Sequence, residues 1–229
     1  LFNWTALTGE DFIGAGTSLK FYIFEGNQAY DITPIRSSNN AVTFAATNGS
    51  NIITVTDASH GAVLNDFVTF SGAASLGGQI TAAVLNREYQ IYEIVNANSY
   101  KFVATATANG SDSGNGGASS KAAYQINTGQ DNATFGAGWG AGVWGRGTWN
   151  SAANVTIPSA SLRLWSQDNF GEDLIINVRN GGIFYWDTSS GISSSNRAVA
   201  LSTISGAQAA PTVAAIVLVS EKDRHIIAF

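Results

Sequence analysis

The chain has 229 residues, of which 12% are charged, with a net charge of −5, two histidines, and no cysteine or methionine. An ordinary globular chain is about 25% charged. Lack of thiols excludes disulfides, thiolate metal sites and a cysteine nucleophile, and the absence of any basic cluster removes nucleic acid as an expected partner. The longest apolar run, Val213 to Val219, is far short of the roughly 20 residues that cross a bilayer, so no membrane span is expected. A translated chain starts with Met, so the sequence reads as an internal piece of a longer polypeptide.

No window places apolar residues at helical spacing over three turns. Short β-branched and aromatic runs bounded by Gly, Asn, Asp and Ser predict strands instead. In chain order these are Leu19 to Phe24, Ala29 to Ile32, Ile52 to Thr56, Phe67 to Phe70, Gln90 to Val95 and Tyr100 to Ala104. After a gap come Ser161 to Trp165, Leu174 to Val178, Ile183 to Trp186, Ala214 to Val219 and Ile226 to Phe229. The fold class is therefore all-β.

The polar, Gly-rich stretch from Asn109 to Ser120 predicts a loop or linker, because it has little apolar surface to bury. A smaller turn cluster is expected at Ser37 to Asn40. Between them lies a module with its own strands and turns, so 42–120 is expected as an insertion in a host built from 1–41 and 121–229. Three host pieces share a strand, polar turn, strand form, centred on Asn27, Asn180 and Lys222. The last two turns lie 42 residues apart, close to the period of about 40 to 50 residues in β-propeller blades. A host of about 150 residues makes only three or four blades, at the low edge of a closed ring of about 4 to 8. The expected architecture is a β-propeller-like or β-sandwich host with an inserted small β-barrel-like module.

Phe135-Gly-Ala-Gly-Trp-Gly-Ala-Gly-Val-Trp-Gly-Arg-Gly-Thr-Trp149 is the most unusual local sequence. It contains G-x-G-x-x-G at Gly140 to Gly145, but no helix pattern follows to hold a pyrophosphate, so no cofactor is expected. Phe135, Trp139, Trp144 and Trp149, separated by glycines, read as an interface loop whose rings anchor it on a β surface or a neighbouring subunit. His60 and His225 sit in turns beside strands, where solvated residues are the default and no partner for proton transfer is adjacent. Asp168, Glu172, Asp173 and Asp187 surround one hairpin, and paired carboxylates can hydrolyse a glycosidic bond. Turn chemistry explains them more simply, so no catalytic residue is assigned. Ser111 to Gly117 is a single Gly/Asp copy without an apolar residue in phase, and no metal site is assigned.

The segments Asn51-Ile-Ile-Thr-Val-Thr-Asp-Ala-Ser-His-Gly61, Asn65-Asp-Phe-Val-Thr-Phe-Ser-Gly72, Leu85-Asn-Arg-Glu-Tyr89 and Asn96-Ala-Asn-Ser-Tyr-Lys-Phe102 resemble a small β module that recurs in bacteriophage tail and other virion proteins. Asn65 stands where that module usually has Gly, and Asn also tolerates a left-handed turn. Leu162 to Leu174, Gly181 to Asp187 and Val219 to Ile227 are similar to structural proteins of tailed phages, some of which resemble the β-propeller nozzle of short-tailed phages. The resemblance implies a non-enzymatic virion structural protein of the tail tube, nozzle or tip. Its implied partners are itself in a homo-oligomeric ring or tube, neighbouring tail proteins, and host surface glycan. The low charge agrees with extensive burial in a permanent assembly. The alternative expectation is a tail-associated or secreted β protein that binds or degrades glycan.

Overall fold

The computed structural model describes residues 1–6, 9–130, 162–220 and 222–229. The expected interface residues Phe135, Trp139, Trp144 and Trp149 lie outside them. Among the described residues all four sheets are antiparallel, and the only α-helix is one turn, α1 (Ala82–Leu85). Thr81 caps that turn by accepting a hydrogen bond from Val84 N.

The first sheet is a meander of β1 (Phe2–Thr5), β2 (Asp11–Gly16), β3 (Phe21–Glu25) and β4 (Gln28–Asp31), paired in that order. Residues on β3 alternate as two-faced strands require, with Phe21 and Ile23 fully buried and Phe24 exposed.

The chain then builds an eight-stranded sheet. Its strands are β5 (Ile35–Asn40), β6 (Thr43–Ala46), β7 (Ile52–Thr56), β8 (Phe67–Ser71), β9 (Glu88–Asn96), β10 (Ser99–Val103), β11 (Asp112–Asn115) and β12 (Lys121–Gln125), in the order β11-β6-β7-β10-β9-β8-β12-β5. Register shifts between β9 and β10 bend the sheet, so that one core gathers Phe44, Val55, Phe70, Ile91, Phe102 and Tyr124 from six strands. Tyr89 stacks on Phe102 at 4.2 Å between centroids, and Phe44 meets Phe70 edge-on at 5.0 Å. The expected barrel-like form is an open, curled sheet, because its terminal strands β11 and β5 do not pair. The sheet runs beyond 42–120 at both ends, taking in β5 and β12, which pair with each other.

A second four-stranded meander follows: β13 (Trp165–Phe170), β14 (Asp173–Val178), β15 (Ile183–Trp186) and β16 (Val199–Ala200). Last comes the hairpin of β17 (Val217–Ser220) and β18 (His225–Ala228). The two meanders and the hairpin stack face to face. Trp4, Phe12, Phe21, Ile23 and Ile32 of the first meander region pack on Leu174, Ile176 and Trp186 of the second. Ile175 and Ile183 on the opposite face of that second sheet pack on Val217, Val219 and Ile226. β14 is therefore apolar on both sides, as a central strand between two layers must be. Each fully buried large side chain in these layers contributes about 1.5–3 kcal/mol.

Close approach between the two meanders depends on Gly14 and Gly16. A Cβ on Gly14 would stand 2.8 Å from Gln167 Oε1, and one on Gly16 would overlap the Trp165 indole. That indole meets Phe21 edge-on at 5.1 Å and donates from Nε1 to Thr17 O at 2.8 Å.

Three expectations need correction. Ser37 to Asn40, expected as a turn, belong to β5, and the expected 109–120 loop contains β11. Both are edge strands of their sheet, where one flank has no neighbouring strand and polar residues are favoured. The strand expected at Ser161 to Trp165 instead begins at Trp165 and runs on through Ser-Gln-Asp-Asn-Phe170, again at a sheet edge. The three similar host pieces are all hairpins, yet they hold different places. One is β3–β4, the third and fourth strands of its sheet, and another is β14–β15, the second and third. The 42-residue spacing separates the β14–β15 hairpin of a four-stranded sheet from the β17–β18 hairpin of a two-stranded one.

Candidate functional site

Of the carboxylates singled out from sequence, Asp168, Asp173 and Asp187 are committed to backbone or hydroxyl partners. Asp168 accepts from Val219 N at 2.8 Å and Asn169 N at 3.0 Å. With Ser166 Oγ, which accepts from Val217 N at 3.0 Å, it supplies the free edge of β17 with the acceptors a neighbouring strand would otherwise provide. Asp173 accepts from the Tyr185 hydroxyl and from Thr188 N at 2.9 Å. Burial pushes the Tyr185 phenol up, and the bond to Asp173 adds to this. Asp187 caps a single 3-10 turn, accepting from Ser189 N at 2.9 Å and from the Ser189 and Ser190 hydroxyls. Those bonds hold its carboxyl below the usual range. Glu172 O accepts from Trp4 Nε1 at 3.0 Å, tying the β13–β14 turn to β1.

His60 is not the solvated turn residue its local sequence suggests. It is 3% exposed and lies edge-on to Tyr100 at 5.0 Å. Its Nδ1 accepts from Ala62 N at 3.0 Å, so the proton sits on Nε2 and is donated to Asn96 O at 3.0 Å. Asn65 has φ of 72°, the left-handed turn that the module resemblance implies. His225 is exposed at the start of β18. No cluster of three or more His, Cys, Asp or Glu that could hold a metal occurs among the described residues, and no helix among them is long and apolar enough to cross a membrane.

Two buried polar networks were illegible in sequence. Inside the curled sheet, Tyr124 donates its hydroxyl to Asp57 and lies 2.8 Å from the Tyr100 hydroxyl, while Asn39 Nδ2 donates to both Asp57 oxygens at 2.9 and 3.0 Å. Burial raises both phenols well above the ordinary tyrosine range. Beside Asp57 opens a polar cleft lined in part by Ser38, Asn40, Thr43 and Thr56.

The second network joins the curled sheet to the stack. Lys20 Nζ bonds Asp31 Oδ2 at 2.8 Å and also Glu88, and Arg197 bonds Asp31 Oδ1 at 2.8 Å and Glu88 Oε2 at 3.5 Å. Gln125 Nε2 donates to both carboxylates. Two cations thus meet two anions drawn from the first meander region, the curled sheet and the loop before β16. Burial alone would raise the Asp31 carboxyl, but hydrogen bonds from Lys20 and Thr33 and the Arg197 charge outweigh it and hold it low.

The outer ends of the stack are its most distinctive surfaces. On the last hairpin, Val217, Val219, Ile226 and Ala228 face the second meander. The opposite face carries Ile216, Leu218 and Ile227, 43%, 47% and 44% exposed, with Leu218 directly across from Ile227. This hairpin is apolar on both faces although one of them is open. At the far end of the stack, Ile13 and Phe24 are cross-strand neighbours on the outer face of the first meander, 44% and 38% exposed.

No family model matches the sequence, and no curated protein matches it. Among solved structures the chain is similar to a phage phi92 endosialidase, with 11% identity and a TM-score of 0.35, over 83% of this chain and 29% of that one. The chain spans less than a third of that protein's length.

Proposed function

We propose that the chain is a structural subunit of a phage tail, in the tube, nozzle or tip, whose sheet stack joins copies into a ring or tube while the curled module projects from the wall. The observation that carries this reading is the stack itself: its middle sheet is buried on both faces, and among the described residues apolar side chains stand exposed on both outer layers, Leu218 and Ile227 on the last hairpin and Ile13 and Phe24 on the first meander. Monomeric proteins seldom expose such faces without a partner, and obligate interfaces resemble a core cut in half. The motif resemblance of the module and host segments to phage virion proteins, together with their all-β architecture, supports the tail assignment.

A structural rather than catalytic role is supported by the engagement of Asp168, Asp173 and Asp187 with backbone and hydroxyl donors. The ion-pair network at Lys20, Asp31, Glu88 and Arg197 suits a module held in one orientation on the wall. Negative-stain electron microscopy of the purified chain at high concentration tests the reading. Rings or short tubes of uniform diameter are expected, and a field of single particles of monomer size overturns it.

A further inference from the structure

We propose that Lys20 and Glu88 condense without an external catalyst into an isopeptide bond, an amide between Lys20 Nζ and Glu88 Cδ that fastens the first meander region covalently to β9 of the curled sheet. The ion-paired side chains described above are the reactants. Lys20 Nζ contacts Glu88 Oε1 and lies 2.8 Å from Asp31 Oδ2, with the Phe67 ring centroid 4.2 Å away. The Lys20 and Asp31 side chains are only 7% and 11% exposed, and that of Glu88 is 29% exposed, so amine and acyl group are held together in a site largely closed to water. Fixed contact of this kind replaces a bimolecular encounter. Condensation also removes two charges whose burial is costly, and it leaves one cation and one anion, Arg197 and Asp31, still paired at 2.8 Å.

The steps balance within the site. A proton passes from the Lys20 ammonium to Glu88 Oε1, which leaves a neutral amine beside a carboxylic acid. Nζ then adds to Cδ, and negative charge develops on Oε2, where Gln125 Nε2 donates at 2.6 Å and Arg197 Nη2 stands at 3.5 Å. Asp31 Oδ2 takes a second proton from the nitrogen and hands it to Oε1, which leaves as water while the carbonyl re-forms. One proton stays on the amide nitrogen, two leave with the oxygen, and Asp31 holds its proton only in passage. Gln125 is 1% exposed, and its Oε1 has no hydrogen-bond partner among the described residues. Buried acceptors are normally satisfied, and condensation brings two new donors to its neighbourhood, the amide N–H and the water. Lys101 and Glu93 pair at 3.0 Å but are 31% and 46% exposed, so the same residue types should stay ionic there.

Intact mass spectrometry of the denatured chain tests the proposal whether or not copies assemble. The chain is expected to be lighter than its sequence by one water, and protease digestion should release a branched peptide joining the segments that carry Lys20 and Glu88. Lys20→Arg keeps the positive charge and Glu88→Ala removes the acyl group, and both should return to the full sequence mass. Asp31→Asn keeps the side-chain volume without the proton relay, and should slow condensation by about 10²–10⁴-fold when mass is followed after cell-free synthesis. A wild-type chain at full sequence mass after prolonged incubation, or a loss of water that maps to a peptide lacking Lys20 or Glu88, overturns the bond while leaving the assembly reading standing. An Asp31→Asn chain that condenses as fast as wild type overturns the relay.

Discussion

Replacing Lys20 with Met removes one cation from a network of two cations and two anions and keeps most of the side-chain volume. Lys20 is 6% exposed and its Nζ lies 2.8 Å from Asp31 Oδ2. At that distance the gross attraction is about 6 kcal/mol for an effective dielectric of about 20. The cost of burying the ammonium offsets much of this, and what the variant exposes is the penalty of leaving its partners behind, about 3–5 kcal/mol when a buried pair is broken from one side. Phe67, whose ring centroid lies 4.2 Å from Nζ, loses a cation and keeps an apolar neighbour. The internal control is Lys101→Met. Lys101 pairs with Glu93 at 3.0 Å with side chains 31% and 46% exposed, a setting worth less than about 1 kcal/mol. Urea unfolding followed by far-ultraviolet circular dichroism reads both. Equal, small losses for the two variants would refute the claim that burial makes the junction network structural. The pH dependence has a definite sign. The Asp31 carboxyl is held low in the folded chain, so its contribution is complete above the ordinary carboxylate value of about 3.9 and is lost as pH falls through the folded value.

Gly16→Val forces a side chain into the Trp165 indole and should cost about 1–3 kcal/mol by overpacking, measured as a lower urea midpoint with altered tryptophan fluorescence. A Gly16→Val midpoint equal to wild type would mean the meanders are not packed as described. Asp168→Ala strands the Val219 amide and should cost about 1–3 kcal/mol, seen as faster hydrogen exchange across β17 and β18. Ultraviolet titration should show the Tyr100, Tyr124 and Tyr185 phenols silent at pH 10, where ordinary tyrosines ionise. Since burial raises these groups, their protonated form favours the fold up to that pH, and their signal should appear together with alkaline unfolding.

What the sequence revealed depends on where each segment sits. Strands with one or two buried faces, such as β7 and β15, carry β-branched and aromatic residues because they must, and both match their expected limits. β5, β11 and β13 are edges, and their Ser, Asn and Asp residues look like turns to any pattern based on burial. β13 shows the reason most directly. Its Ser166 and Asp168 side chains hydrogen-bond the backbone of β17, a job that polar residues perform and apolar alternation cannot signal. His60 looked solvated because its partners, Asn96 and Tyr100, come from distant strands. The junction network likewise assembles Lys20, Asp31, Glu88, Gln125 and Arg197 from separated segments, with no local spacing to mark it. The apolar pairs at the stack ends were visible as strand residues, but their exposure follows only from the layer order. Phe135, Trp139, Trp144 and Trp149, the aromatic residues expected to form an interface, lie outside the described residues.

Sedimentation velocity of the wild-type chain across a wide concentration range tests the central claim most directly. Growth from monomer to a discrete larger species is expected. A single monomer boundary at every concentration would contradict it.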